Sequence, residues 1–355
     1  MTATTTPPAY SSANGQLVWV VYDANAIDVT KLNYKYIADV YVNAVLVFRS
    51  KVYPNPVNNH GIFDLGTVIR EYLSAAFKDE QGAAEFSLAV TVKFGEEYDA
   101  TLYTNLITSM LDVFNTYSGR TSSLIDLFAF VAKPATDRPL TIVIPKGCTT
   151  YYLPYFAMTT TAFNVVINGV TTTITPTVVE TMHRINIALP AATADYTVVL
   201  GGVTYQVKLI CTGNYKNYLM HFLNKWGGWE TMLFEKVSRK KLQVERKSWQ
   251  QLPYRVDSSG VMTIASGSVM HSQKSTFGVQ FTEKLKISTD WLSDGEYRWL
   301  AQLVCSPFKY LDDAGTLYPV GVENSEYEFK EGIVDQLQNL SVDIELPTKY
   351  NTQFQ

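Results

Sequence analysis

The sequence predicts a mainly β fold: several β-sandwich-like modules in one chain, with two short helices. Three observations carry this expectation. Aromatic residues make up 13% of the chain, 23 of them Tyr, and Thr is abundant. Such side chains suit pleated, half-buried surfaces. Apolar and polar residues alternate with period two through several of the apolar stretches. Turn pairs such as Asn168-Gly169 and Gly201-Gly202 sit between those stretches, where hairpins need residues that accept positive φ. With 355 residues, 46% apolar, the chain is long enough for two or three domains, each with a core.

Residues 1–15, rich in Thr, Ser, Pro and Ala, read as a flexible leader. An N-terminal β-rich domain with one helix is expected over 16–135. Leu17–Tyr22 is its first strand. Tyr34–Ala44 follows period two and breaks at Asn43-Ala44, which predicts a hairpin with Val45–Val52 returning. Tyr53–Gly61, with two prolines and three asparagines, is a loop. Asp64–Phe77 has apolar residues at Leu65, Val68, Ile69, Tyr72, Leu73 and Ala76. That spacing predicts a helix with Asp64 as its N-cap. Phe86–Phe94 and Tyr98–Tyr103 read as strands joined by a turn at Gly95, which would place Glu96-Glu97 in solvent. Leu106–Phe114 and Leu124–Phe130 are too short to assign by periodicity.

Lys133–Pro139 carries two prolines and marks a boundary. A small β-domain is expected over 140–212, with a hairpin through Asn168-Gly169 and another through Gly201-Gly202. A C-terminal β-rich domain with one helix follows over 215–350. In it Tyr218–Leu223 and Trp229–Val237 flank the turn Asn224–Gly228. The clearest helix of the chain is Ser288–Val304, where Ser293 and Glu296 form a capping box. Asp312-Asp313-Ala314-Gly315 reads as a turn, Leu337–Leu346 as the last strand, and 351–355 as a tail.

Net charge is −4 and the isoelectric point about 5.7, which disfavours nucleic acid as the main partner. No apolar run reaches the roughly 18 residues of a membrane helix, so no membrane is expected. Met1–Ala9 lacks the basic and apolar regions of a secretory signal. Cys148, Cys211 and Cys305 are far apart, odd in number and without zinc spacing, so they are expected as buried, reduced residues. His60, His183, His221 and His271 stand alone, and no nucleophile, phosphate-loop or metalloprotease motif occurs. The acidic pairs Glu96-Glu97 and Asp312-Asp313, and the group Glu323, Glu326 and Glu328, fall in or near expected turns. A hydrolase would need two carboxylates facing one cleft. No catalytic residue, metal or cofactor is therefore expected, and the chain does not read as an enzyme.

Two features point to contacts. Lys236–Lys247 packs six positive charges into twelve residues. Lys240 and Lys241 within it suit a nucleic-acid or acidic protein partner, or else a solvated strand edge. The aromatics Tyr151, Tyr152, Trp226 and Trp229 could anchor a subunit contact or stack on sugars; ordinary core packing is the alternative for each.

Several segments then look familiar together: Tyr36–Asn43 (YIADVYVN), Lys51–Pro56 (KVYPNP), Gly61–Leu65 (GIFDL), Asn224–Phe234 (NKWGGWETMLF), Trp291–Glu296 (WLSDGE) and Leu300–Pro307 (LAQLVCSP). Their order resembles virion structural proteins of tailed phages that infect Bacteroidetes. The resemblance implies a non-enzymatic tail, baseplate or neck component. It would assemble as a cyclic homo-oligomer, contact other virion proteins, be made in the host cytoplasm and reside in the virion. It also suggests Trp226 and Trp229 projecting from a tight turn. The alternative is a module that binds a glycan or host surface through exposed aromatics.

Overall fold

The computed structural model describes residues 1–24, 31–74, 77–80, 86–116, 133–211, 215–250, 254–256, 258–263, 265–266, 269–270, 274–323 and 338–346. It is mainly β, with two helices among the described residues and several separate sheets. The expectations for Leu124–Phe130, His271, Glu326, Glu328 and the tail lie outside the described residues.

Two sheets face each other in the N-terminal part. The larger one contains β2 (Tyr10–Ser12), β4 (Lys35–Val42), β5 (Val45–Val52), β7 (Ser87–Tyr98) and β8 (Thr101–Phe114), in the order β2-β8-β7-β4-β5. The smaller one joins β1 (Thr2–Thr5), β3 (Val18–Tyr22) and β6 (His60–Asp64) in the order β1-β3-β6. Period-two alternation turns Leu88, Val90, Val92 and Phe94 inward against Trp19, Tyr36 and Phe63, as a sandwich core requires. The buried indole of Trp19 is satisfied by donating to Ser109 Oγ at 3.0 Å. The hairpin at Asn43-Ala44 forms as expected, with φ of 49° and 66°.

Several expectations are corrected here. The leader is not loose, because β1 pairs with β3 and β2 runs parallel to β8. The first helix, α1, covers only Gly66–Arg70. Leu65 and Ile69 reach the core, whereas Tyr72 stays exposed, so the second half of the segment has no packing to stabilise it. Asp64 Oδ1 does accept the Gly66 N–H at 3.1 Å. The β7–β8 reversal sits at Asp99-Ala100, with φ of 51° and 60°, rather than at Gly95. Gly95 lies inside β7, where the register skips between Phe94 and Glu96. A Cβ there would stand 2.1 Å from Tyr103 O. Gly95→Ala is therefore expected to destabilise the chain by about 1–3 kcal/mol through forced backbone shifts, read as a lowered denaturation midpoint; an unchanged midpoint would refute this. Glu96 and Glu97 are consequently strand residues. Glu96 accepts from the Tyr34 hydroxyl at 2.7 Å, and Glu97 pairs with Lys51.

The middle part pairs β9 (Thr141–Pro145), β11 (Phe163–Ile167), β12 (Val170–Ile174), β14 (Tyr196–Leu200) and β15 (Val203–Ile210) in the order β12-β11-β14-β15-β9. β9 is parallel to β15, while the other pairs are antiparallel. Both predicted hairpins form, with positive φ at Asn168-Gly169 and Gly201-Gly202. A second sheet of β10 (Tyr152–Ala157) and β13 (Thr181–Asn186) covers the core that contains Ile142, Leu153, Val165, Val198 and Val207.

The C-terminal part opens with β16 (Tyr218–Leu223), β17 (Trp229–Phe234) and β18 (Arg239–Gln250). Short pairs follow: β19 (Arg255–Val256) with β20 (Met262–Thr263), and β21 (Ala265–Ser266) with β22 (Val269–Met270). Then come β23 (Lys274–Ser288), α2 (Asp294–Cys305), β24 (Lys309–Asp313), β25 (Thr316–Pro319), β26 (Gly321–Val322) and β27 (Ser341–Glu345). They form one sheet β17-β16-β24-β25 and another β18-β23-β27-β26. α2 packs Tyr297, Trp299, Leu300 and Leu303 onto the core that both sheets supply. Its capping box is as predicted, Ser293 accepting from Glu296 N–H and Glu296 Oε2 accepting from Ser293 N–H at 2.9 Å. The helix starts later than Ser288 because that residue ends β23, paired with Ser341. Asp312 and Asp313 are strand residues, and the turn is Ala314-Gly315. Cys211 and Cys305 are exposed and Cys148 is partly covered, all three free, which corrects the expectation of three buried thiols.

Candidate functional site

The residues expected to reach outward are mostly turned inward. Trp226 is 5% exposed, Trp229 1% and Tyr151 0%, so neither tryptophan projects from its turn. The reason is local. Asn224 Oδ1 accepts the N–H of Trp226 at 3.0 Å and of Gly228 at 2.9 Å, which folds Asn224–Trp229 back on itself. Gly227, at φ +84°, would place a Cβ 2.4 Å from Asn115 O, so the turn is pressed against the end of β8. Trp226 then joins Phe86, Phe114, Ala135, Phe156 and Met182 in a cluster drawn from all three parts of the chain. Trp229 meets Phe77 edge-on at 5.0 Å and Tyr310 at 5.5 Å. Tyr152 is half-buried against Phe77, with the Arg184 guanidinium stacked over both rings. These aromatics are contact residues, but the contact is between modules of one chain.

Beneath them lies a buried polar node that was not singled out from the sequence. Glu230 is completely buried in β17. Its Oε1 accepts from Asn224 Nδ2 at 2.6 Å and its Oε2 from Trp299 Nε1 at 2.7 Å. Burial drives its carboxyl up to about 7, against the opposing pull of Asn224 and Arg138. Arg138, from the presumed linker, is sandwiched between the Tyr151 ring at 4.8 Å and the Trp299 ring at 4.4 Å. It donates to Thr231 O at 3.0 Å and to the Tyr151 hydroxyl. Asn224 Nδ2 also donates to Ala135 O at 2.7 Å. Lys133–Pro139 is thus a packed strap where the middle and C-terminal parts meet. One signal for this is in the sequence: Glu230 is the single charge in the strand Trp229–Phe234, where an unpaired buried carboxylate would be costly.

Next to this node, Thr231, His221 and Asp312 stand in the order hydroxyl, imidazole, carboxylate. His221 Nδ1 is 2.8 Å from Thr231 Oγ1 and Nε2 is 3.7 Å from Asp312 Oδ2. Burial lowers the His221 pKa. The facing imidazole, with the Gly315 N–H and the Thr150 hydroxyl, holds Asp312 below the usual carboxylate range. A nucleophile needs access to its substrate, yet Thr231 is fully buried and also accepts the Tyr152 N–H at 3.0 Å. The trio is a tie between β10, β16, β17 and β24. A cavity of about 380 Å³ opens nearby, lined by Arg138, Tyr151, Lys208, Glu235, Trp291 and Glu296 among others. Among the described residues no cluster of metal-ligating side chains occurs. No described helix is long and apolar enough to cross a membrane.

Lys240 and Lys241 do lie on the outside. They belong to β18, which pairs antiparallel with β23 from Arg239↔Lys286 to Gln250↔Lys274. β27 supports β23 only over Lys284–Ser288. Lys274–Glu283 has β18 as its sole strand partner among the described residues, over roughly 30 Å at about 3.3 Å per residue. β18 is exposed along nearly its whole length. Leu242 is 58% exposed, Trp249 53% and Phe277 on β23 68%. This long ribbon is the candidate interface. Comparison with protein-family models, with curated proteins and with solved structures finds no match to this chain.

Proposed function

We propose that the chain is a non-enzymatic structural part of a tailed-phage virion, a tail, baseplate or neck ring or adaptor protein that joins its neighbours through β-domain contacts. The β18–β23 ribbon is the observation that carries this reading. A two-stranded ribbon alone is marginal in water, and this one leaves Leu242, Trp249 and Phe277 uncovered. Such a ribbon gains stability when another chain covers it, so an assembly contact accounts for its length and composition. The internal junction supports the same reading, since it makes one body of the modules and gives the ribbon a firm base. The resemblance of Tyr36–Asn43, Asn224–Phe234 and Trp291–Glu296 to virion proteins supplies the setting, with synthesis in the host cytoplasm. The glycan-binding alternative loses its named carriers, because Tyr151 and Trp226 are consumed by internal packing and Tyr152 is half-buried beneath Arg184.

The test is direct. An antiserum against the chain is expected to label purified tailed particles at the tail or neck in immunogold images. Particles of full infectivity that contain none of the chain would refute the proposal.

A further inference from the structure

Charges stand in rows across the sheet β18-β23-β27-β26. Arg239 of β18 is opposite Lys286 of β23, which is opposite Asp343 of β27. In the next row on that face, Lys241 is opposite Lys284, which is opposite Glu345. Each row holds two cations and one carboxylate, with the like charges directly across from each other, which costs stability. The carboxylates beside β23 are already engaged. Asp343 and Glu345 face its two lysines, and Glu323 pairs with Lys284 at 2.6 Å. The surplus positive charge is therefore left on β18, which carries Arg239, Lys240, Lys241, Arg246 and Lys247 against Glu245 alone. None of those five forms an ion pair among the described residues. β18 is also an edge of the sheet, with β23 as its one strand partner among the described residues.

We propose that the free edge of β18 receives an acidic, extended segment of a different protein by strand addition. The inference rests on the assembly reading above and adds the chemistry of the partner at that contact. A carboxylate opposite Arg239 and another opposite Lys241 complete the two rows, leaving two charges of each sign in both. Lys247 lies on the same face and extends it. Side chains alternate across a strand, so Leu242 and Val244 point to the other face. Leu242 is 58% exposed and Val244 half-buried, and apolar side chains of the incoming segment cover them. The matching segment therefore alternates acidic and apolar residues over the unbroken pairing Arg239–Lys247. Its backbone fills the outer row of N–H and C=O groups of β18. A lysine-rich edge turns away strands like itself and admits one of opposite charge. A nucleic acid offers no such ladder and no cover for Leu242 and Val244. The rest of the chain, whose net charge is −4 with β18 included, also repels a long polyanion.

The test is fluorescence anisotropy of labelled peptides titrated with the full chain. The probe alternates Glu and Val over about nine residues, the reach of Arg239–Lys247. Saturable binding is expected, weakening as salt screens the contact. Gln in place of Glu is expected to weaken it at least about tenfold, and N-methylation of the peptide amides, which removes the ladder donors, by a similar factor. Arg239→Glu with Lys241→Glu is expected to lose at least about tenfold as well. Each new carboxylate faces Lys286 or Lys284, and an unchanged melting temperature verifies that the variant is folded. The Gln and N-methylated peptides leave the protein unaltered, so they decide the matter even where the variant does not fold. A chain that ignores the alternating peptide overturns the inference. So does binding indifferent to the Gln and N-methyl changes, or oligothymidylate bound more tightly than the peptide. A chain found in labelled particles that ignores the peptide would overturn this inference and leave the assembly reading standing. Peptide binding by a chain absent from the particles would do the reverse.

Discussion

Arg138→Ala is expected to lower the stability of the chain by about 3–5 kcal/mol, the range for removing one member of a buried charged set. Three losses add. The Thr231 carbonyl and the Tyr151 hydroxyl lose their buried donor. The slot between the Tyr151 and Trp299 rings empties. Glu230 loses the nearby positive charge that favours its ionised form. Arg138→Lys should recover only part of the loss, because a point charge on a flexible stem cannot stack between two rings and reach two acceptors in a fixed fork. Denaturant unfolding followed by tryptophan fluorescence measures both variants. A cost below about 1 kcal/mol for the alanine would show that the node contributes little to joining the middle and C-terminal parts.

Glu230 is expected to give the protein a pH dependence opposite in sign to that of most carboxylates. Its carboxyl ionises at about 7 in the folded chain against 4.5 as the reference value. Between these values the folded state holds a proton that the unfolded state has released. The stabilising difference is therefore complete below the unfolded value and is lost as pH rises through the folded one. The decline is about 1.4 kcal/mol per pH unit and about 3 kcal/mol in all. Glu230→Gln, which keeps the shape of the protonated acid, should remove this slope between pH 5 and 7. Denaturation midpoints of wild type and variant at pH 5, 6, 7 and 8 decide the matter, because other titrating groups cancel in the difference. Parallel curves would show that the node does not hold Glu230 protonated.

The Arg138–Glu230 node is not legible in the sequence, whereas several simpler features are. Asn43-Ala44, Asn168-Gly169 and Gly201-Gly202 turn where expected because a tight hairpin asks for positive φ at two adjacent residues, a local demand. The Ser293–Glu296 box was legible for the same reason: both partners lie within one turn of helix. Gly95 reads as a turn in sequence, but its role depends on Tyr103 approaching from the next strand. A glycine required by a neighbouring backbone looks the same in sequence as one that makes a turn. Asp312 reads as a turn residue in sequence because its partners, His221 and Thr150, lie far off along the chain. Trp226 and Trp229 read from sequence either as anchors of a subunit contact or as core, and the structure buries both within the chain. A large aromatic beside a Gly-Gly turn reads alike whether another subunit or another module covers it.

By itself the sequence determined the mainly β fold, the principal hairpins, the helix cap and the concentration of positive charge from Lys236 to Lys247. Each of these follows from periodicity, turn chemistry or charge within about a dozen residues. Only the tertiary structure decided the rest. It shortened the first helix to the residues that reach a core. It closed the leader into two sheets. It gathered Arg138, Tyr151, Asn224, Glu230 and Trp299 into one buried node, and among the described residues it left the β18–β23 ribbon without a cover. The physical reason is common to all four. Burial and pairing are properties of surfaces brought together across long stretches of chain. Whether an arginine meets water or two aromatic rings is settled by which elements pack.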